Sequence, residues 1–226
     1  MSQNLWALCL MYFCGAYGWY FNITYLPTFL DQQYSVDPKS LVGALYKGGP
    51  LWMGAIACLL GGWLTDRLIQ RTGNRKWGRR LLGIIGHGLC GVCYLTCLTT
   101  SSAFSFFMAI SLAAFFNDLT MGSAWACCQD IGKRYAAIVA GCMNTIGNLG
   151  GAVAGWTTGQ ILKFSLAKHV ALHQLDLDNI SGADRSAGLT YGYQINFVTF
   201  ALVYFVAVVL WLRVDATEPV VPEEKC

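Results

Sequence analysis

The chain has 226 residues, 55% of them hydrophobic and only 12% charged, with a net charge of +3. A soluble domain typically carries about 25% charged residues. That balance, with a mean hydropathy of +0.47 and several long apolar runs, excludes an ordinary soluble domain and points to a multi-pass membrane protein.

The residues before position 5 lack a basic leader, and the apolar run behind them is too long for a signal-peptide core. The run therefore predicts a retained span over 5–30. Tyr17, Tyr20 and Asn22 make it polar for a lipid-facing helix, and Pro27 loosens its end. Asp37-Pro38 suits a helix start, and a second span follows over 40–64.

Residues 65–80 hold six basic side chains against one acid, Asp66. A basic run can be a nucleic-acid patch. Between two hydrophobic spans it reads instead as a cytoplasmic loop that fixes topology. No nucleic-acid partner is expected.

The third span is 81–98, rich in glycine, with His87 inside it; a lone histidine there reads as a helix-to-helix hydrogen bond. A short uncharged turn leads to the fourth span, 103–128. Asp118 lies in that span 12 residues before Asp130, which is roughly 18 Å along a helix and near mid-depth. It is a coupling candidate, or else a structural hydrogen bond to a neighbouring helix.

The fifth span, 136–163, carries Gly147, Gly151, Gly155 and Gly159, one glycine every four residues. Such a series stays close to one helix face and invites close packing. Asn144 and Asn148 share an adjacent face. They either join helices or touch a ligand. The segment 164–193 reads as an outside loop, 195–212 as a sixth span, and 213–226 as a cytoplasmic tail. Six spans put both termini in the cytoplasm.

Ten cysteines lie mostly inside apolar runs. Cys90 and Cys93 form a CxxC, but no histidine or second pair stands at ligand spacing, so packing is the expected role. No metal and no cofactor is expected. The chain lacks H-E-x-x-H or comparable catalytic spacing, so it is not expected to be an enzyme.

Gly62-Trp63-Leu64-Thr65-Asp66-Arg67 and the basic residues after it resemble the G-x-x-x-D-R-x-G-R-R motif of the major facilitator superfamily. The match departs after Arg67, where Gly73 and Gly78 fall later than in the motif. DLTMGSAWACCQDIGKRYAAIVAGCMNTIGNLGG (118–151) and TYLPTFL (24–30) resemble helices ten to eleven and the end of helix seven of the anion:cation symporter family.

The resemblance implies an all-α membrane protein, the C-terminal six-helix half of a major facilitator fold. It implies ion-coupled transport of a small organic anion such as a sugar acid or carboxylate, with a proton or sodium as the coupling ion. Its partners would be membrane lipid and an N-terminal six-helix half. It implies a substrate cavity near Tyr17, Tyr20, Asn22, Trp125, Asn144 and Asn148. Gly62, Asp66 and Arg67 would form a gate motif. The competing class is a membrane subunit or truncated scaffold bundle that does not transport.

Overall fold

A computed structural model describes residues 2–37, 39–176 and 179–221; Pro38, Asp178 and the end of the tail, including Cys226, lie outside the described residues. All regular structure among the described residues is helical. In chain order the helices are α1 (Gln3–Thr24), α2 (Leu26–Tyr34), α3 (Leu41–Thr72), α4 (Arg75–Thr96), α5 (Ala103–Leu119), α6 (Met121–Gly132), α7 (Ala136–His173) and α8 (Gly182–Trp211).

Local chemistry sets the ends. The Ser40 hydroxyl accepts from Gly43 N at 3.0 Å and starts α3. Gly73, at φ +66°, ends it in the left-handed region that glycine tolerates. Asn74 then caps α4 through Trp77 N at 3.1 Å. Ser102 and Ser105 form a reciprocal cap on α5, and Ser181 accepts from Asp184 N to start α8. Pro27 has no N–H to give, so α1 and α2 meet in a break at Tyr25.

Among the described residues, four segments are long and apolar enough to cross a membrane: Leu41–Thr72, Arg75–Thr99, Ala103–His173 and Gly182–Trp211. The third, 71 residues long, contains the turn Lys133–Tyr135.

The packing is read from matched residues. On α3 and α5–α6 they rise together: a Cβ on Gly49 would meet Phe107, one on Gly54 would meet Asp118, and Thr65 bonds Ser123. The two therefore run parallel. So do α1 and α7, where Gly147 faces Tyr12 and Gly159 faces Tyr25. α4 and α8 run antiparallel, with Gly83 against Trp211 and Gly91 against Phe205.

Two large apolar cores result among the described residues, beside a small third cluster of Ala57, Leu82 and Leu119. One gathers Phe21, Phe29, Tyr94, Phe106, Phe197 and Phe200 towards one end. The other gathers Leu8, Met11, Cys127, Ile131, Met143 and Trp211 towards the end that carries Arg79 and Asp130.

The loops are shorter than the sequence suggests. The stretch 65–80 is helical except at Gly73 and Asn74. Residues 164–173 belong to α7, and 182–193 belong to α8. The reason is length: α7, with 38 residues, is about 57 Å long, well beyond a ~30 Å hydrocarbon core. Hydropathy marks the lipid-immersed part of a helix, and these helices continue into water.

The tail also differs from a free segment. Val214 and Ala216 are buried. Asn4 Nδ2 donates to the Asp215 carbonyl at 2.6 Å, and Val220 N donates to Ile131 O at 2.8 Å. Lys76 pairs with the Asp215 carboxylate.

Candidate functional site

A cavity of about 330 Å³ opens between α1, α3, α5, α6 and α7. α1 presents Tyr12, Ala16, Trp19 and Tyr20 to it, α3 presents Cys58, and α7 presents Asn144, Gly147 and Asn148. Asp118, one residue before the end of α5, and Met121, at the start of α6, complete the wall. Asp118 is the one charged side chain among its described lining residues.

Asp118 reaches the cavity because of its neighbours. A Cβ on Gly54 would land on the carboxylate, so glycine on α3 leaves the room it occupies. Asn117 Nδ2 donates to Asp118 Oδ1 at 2.8 Å, and the Trp19 indole is a second partner. Across the cavity the Tyr20 hydroxyl donates to Asn148 Oδ1 at 2.8 Å, and Asn148 Nδ2 donates to the Asn144 carbonyl at 2.9 Å. The Asn144 side chain is exposed. Such a wall offers hydrogen bonds, aromatic faces and one negative charge; a ligand's own negative charge would meet no cation on it.

The other expected cavity residues lie elsewhere. Tyr17 is buried, and its hydroxyl shares a 2.6 Å hydrogen bond with Thr157. Asn22 is 5% exposed and packed inside the bundle, its Oδ1 without a partner. Trp125 is outside the cavity lining and meets Tyr12 edge to face at 6.2 Å.

Polarity alone misled here. The face of α1 that lines the cavity is the series 12, 16, 19, 20, an i, i+4, i+7, i+8 stripe that helical spacing reveals. Trp19, Ala16 and Tyr12 could have been found that way. Cys58 and Met121 carry no such signal.

The glycine stripe of α7 is used unevenly. A Cβ on Gly147 or Gly151 would run into the rings of Tyr12 or Tyr20. At Gly155 it would meet nothing, and at Gly159 only the Tyr25 hydroxyl at 3.1 Å. Among the α7 glycines the closest backbone approach belongs to Gly150, off the stripe, which faces the Phe13 carbonyl.

At the basic end, Arg79 ties three elements. Its Nη1 donates to Asp66 Oδ1 at 2.9 Å and its Nε to Asp130 Oδ2 at 3.0 Å. Asp66 thus pairs with a base, while Arg67 is exposed. Gly62 has open space on its own Cβ side, yet a Cβ on Gly122 would strike its backbone. Burial pushes the Asp215 carboxyl up, but hydrogen bonds from Lys76 and Thr217 outweigh that and bring it down to about 2.

Comparison with known proteins fits this geometry. The family model of the Major Facilitator Superfamily matches residues 1–155. The Probable sulfoacetate transporter SauU of Cupriavidus necator is 32% identical over 167 residues, 72% of this chain and 37% of that protein. The chloroplastic Ascorbate transporter of Arabidopsis thaliana is 29% identical over 164 residues, 70% of this chain and 29% of that protein.

The same fold occurs in the crystal structure of a bacterial homologue of the human lysosomal transporter Spinster, inward-facing and occupied. Its TM-score is 0.76 at 17% identity, covering 93% of this chain and 48% of that one. The chain thus spans less than half the length of these relatives. Its bundle has the architecture of one half of the facilitator fold, a multi-pass integral membrane protein and not an enzyme. The chain belongs to the major facilitator superfamily, among its anion:cation symporter-like members.

Proposed function

We propose that this chain is the C-terminal half of an alternating-access transporter for a small organic anion of the sugar-acid or carboxylate type, coupled to a proton or sodium gradient. The observation that carries the reading is the cavity: one carboxylate, two asparagines and an aromatic rim, gathered from several helices at the face left open by the bundle. Facilitator sites lie near mid-membrane between the two halves. The relatives named for sulfoacetate and ascorbate transport support an anionic substrate.

In this reading Asn144, Asn148 and Tyr20 hold the substrate's polar groups and Asp118 couples to the ion. The substrate's negative charge is met by cations of a partner N-terminal six-helix half, since the described cavity lining has none. Gly62, Asp66 and Arg67 belong to the gate, with Arg79, itself held by Asp130, as the base that Asp66 closes onto and releases. The basic end faces the cytoplasm. Impermeant thiol labelling of a Ser181→Cys chain in intact cells tests that orientation: the new cysteine should label, and protection of it would reverse the assignment.

The purified chain, reconstituted in liposomes with a proton or sodium gradient and offered labelled sugar acids and dicarboxylates, should show no uptake alone. With a co-expressed six-span N-terminal partner it should. Uptake by the chain alone would defeat the half-transporter reading, and no uptake with any partner would favour a subunit that does not transport.

A further inference from the structure

Behind Asp118, a file of hydrogen bonds runs away from the cavity into the protein. Thr120, between α5 and α6, donates its hydroxyl to the Asn117 carbonyl at 2.7 Å, and its backbone N–H bonds the same oxygen at 3.1 Å. Its proton is thereby committed, so the 3.3 Å contact between Thr120 Oγ1 and His87 Nε2 requires a donor on the histidine. The other ring nitrogen agrees. Trp211 Nε1 donates to His87 Nδ1 at 3.0 Å, which makes Nδ1 an acceptor and leaves the proton on Nε2. Both contacts are satisfied by one neutral tautomer only.

Every link of this file is buried: Trp211, His87, Asn117 and Thr120 are each at most 1% exposed. Glycines on three helices make room for it. A Cβ on Gly86 would strike Thr120 and the Phe116 carbonyl, and one on Gly83 would strike the Trp211 ring. One on Gly15 would stand 3.2 Å from His87 Nε2 and 3.4 Å from Asn117 Oδ1, and one on Gly54 would land on Asp118 itself. Asn117 Oδ1, facing Gly15, is a buried acceptor without a partner. The Asn117 side-chain amide is therefore held through Nδ2 on Asp118 alone, while its backbone carbonyl takes the Thr120 hydroxyl.

We propose that His87 is the positioning residue for the cavity carboxylate: anchored by Trp211, it fixes Thr120 at the break between α5 and α6, and through Asn117 this sets where Asp118 presents its charge. His87 touches no cavity surface and acts only through the file. A residue at a helix break has backbone freedom that a mid-helix residue lacks, and the histidine removes it. The inference concerns the cavity of the proposed transport site and rests on that reading only for its consequence, not for its geometry.

Cys58 supplies a probe, since it shares the cavity wall with Asp118. In a purified chain carrying Cys142→Ser and Cys226→Ser, the reaction rates of Cys58 with a cationic and an anionic methanethiosulfonate of equal size are measured, and the Cys58→Ser chain gives the background. With Asp118 in place the cation should react about tenfold faster relative to the anion than in an Asp118→Asn chain. His87→Asn keeps an amide near Nδ1 but withdraws the group that reaches Thr120. Its ratio should fall at least threefold towards that of Asp118→Asn, as should that of Thr120→Val. His87→Gln, whose amide lies near Nε2, should restore most of it.

A merely structural histidine would loosen packing and change both rates together, leaving the ratio intact. An unchanged ratio in His87→Asn and Thr120→Val, alongside a collapsed ratio in Asp118→Asn, would overturn the proposal. The measurement needs no transport, so it stands or falls apart from the functional reading.

Discussion

Two regions hold the bundle together in opposite ways. The α1–α7 seam is held without charge: tyrosine rings and a backbone carbonyl rest on Gly147, Gly150 and Gly151, and the Tyr17, Tyr20 and Tyr25 hydroxyls bond Thr157, Asn148 and the Gly155 carbonyl. The basic end is held by charge: Arg79 bridges Asp66 and Asp130, and Lys76 draws the tail in through Asp215. The seam lies where lipid tails surround the helices and offer no hydrophobic contrast, so close packing and hydrogen bonds between uncharged groups hold the helices together. The basic end lies where water and ions reach, so its bonds should respond to pH and salt while the seam's should not.

The largest expected effect is at Gly150. Its neighbour is the Phe13 carbonyl, which cannot rotate aside, so Gly150→Leu must push α1 from α7. Overpacking of this kind costs about 3 kcal/mol or more. Thermal unfolding in detergent should register it, and salt should not rescue it. Gly151→Leu should cost less, because a Tyr20 ring can swing; Val153→Phe adds bulk at an exposed site and is its control. Equal tolerance of all three would break the idea that shape holds the seam.

Arg79→Ala comes next. The arginine side chain is only 10% exposed, and its loss leaves Asp130, 14% exposed, with Arg75 alone at 3.6 Å. Losing one partner of a buried pair costs on the order of 3 kcal/mol. Asp130→Asn in the same chain should recover part of it, which a shape-based contact would not allow.

Asp215 gives the pH arm. Its carboxyl is depressed to about 2 in the folded chain, so its contribution is complete above the usual carboxylate range near 4 and is lost as pH falls towards 2. Tail release, followed by protease access to residues 212–221, should rise over that window. Lys76→Met should move the onset to higher pH. The smallest effect is Gly155→Ala: a Cβ there meets nothing, and the variant should unfold with the native chain. A large loss would mean that the stripe packs against something the bundle lacks.

The comparison also separates what was legible in the sequence. The α-helical membrane class was legible in the hydropathy and the family in the resemblance of its motif residues; the tight fit at Gly147 and Gly151 could be read from spacing, because helix geometry turns an i, i+4 series into a face. Asn144 and Asn148 share a cavity wall for the same reason; Asp118 joins them from another helix, which spacing along one segment does not reveal. Gly150 was invisible, since nothing marks one glycine among many as the one beneath a carbonyl of a helix 137 residues away. The basic loop was misjudged because charge reports contact with water and says nothing of helix ends; Gly73 and Asn74 carry that signal. Tyr17 and Asn22 looked like cavity residues by polarity, yet one bonds Thr157 across the seam and the other is packed inside.

The parallel pairing of α1 with α7 has a consequence in time. Tyr17 and its partner Thr157 are separated by 140 residues. At ribosomal speeds of about 5–20 residues per second, the first helix waits roughly 7–28 s before its partner is made. Throughout that wait Asn22 and the tyrosines of α1 face lipid or a protecting factor. A chain delayed within α5 or α6 would hold its first helix unmatched, and that interval is when quality control would find it.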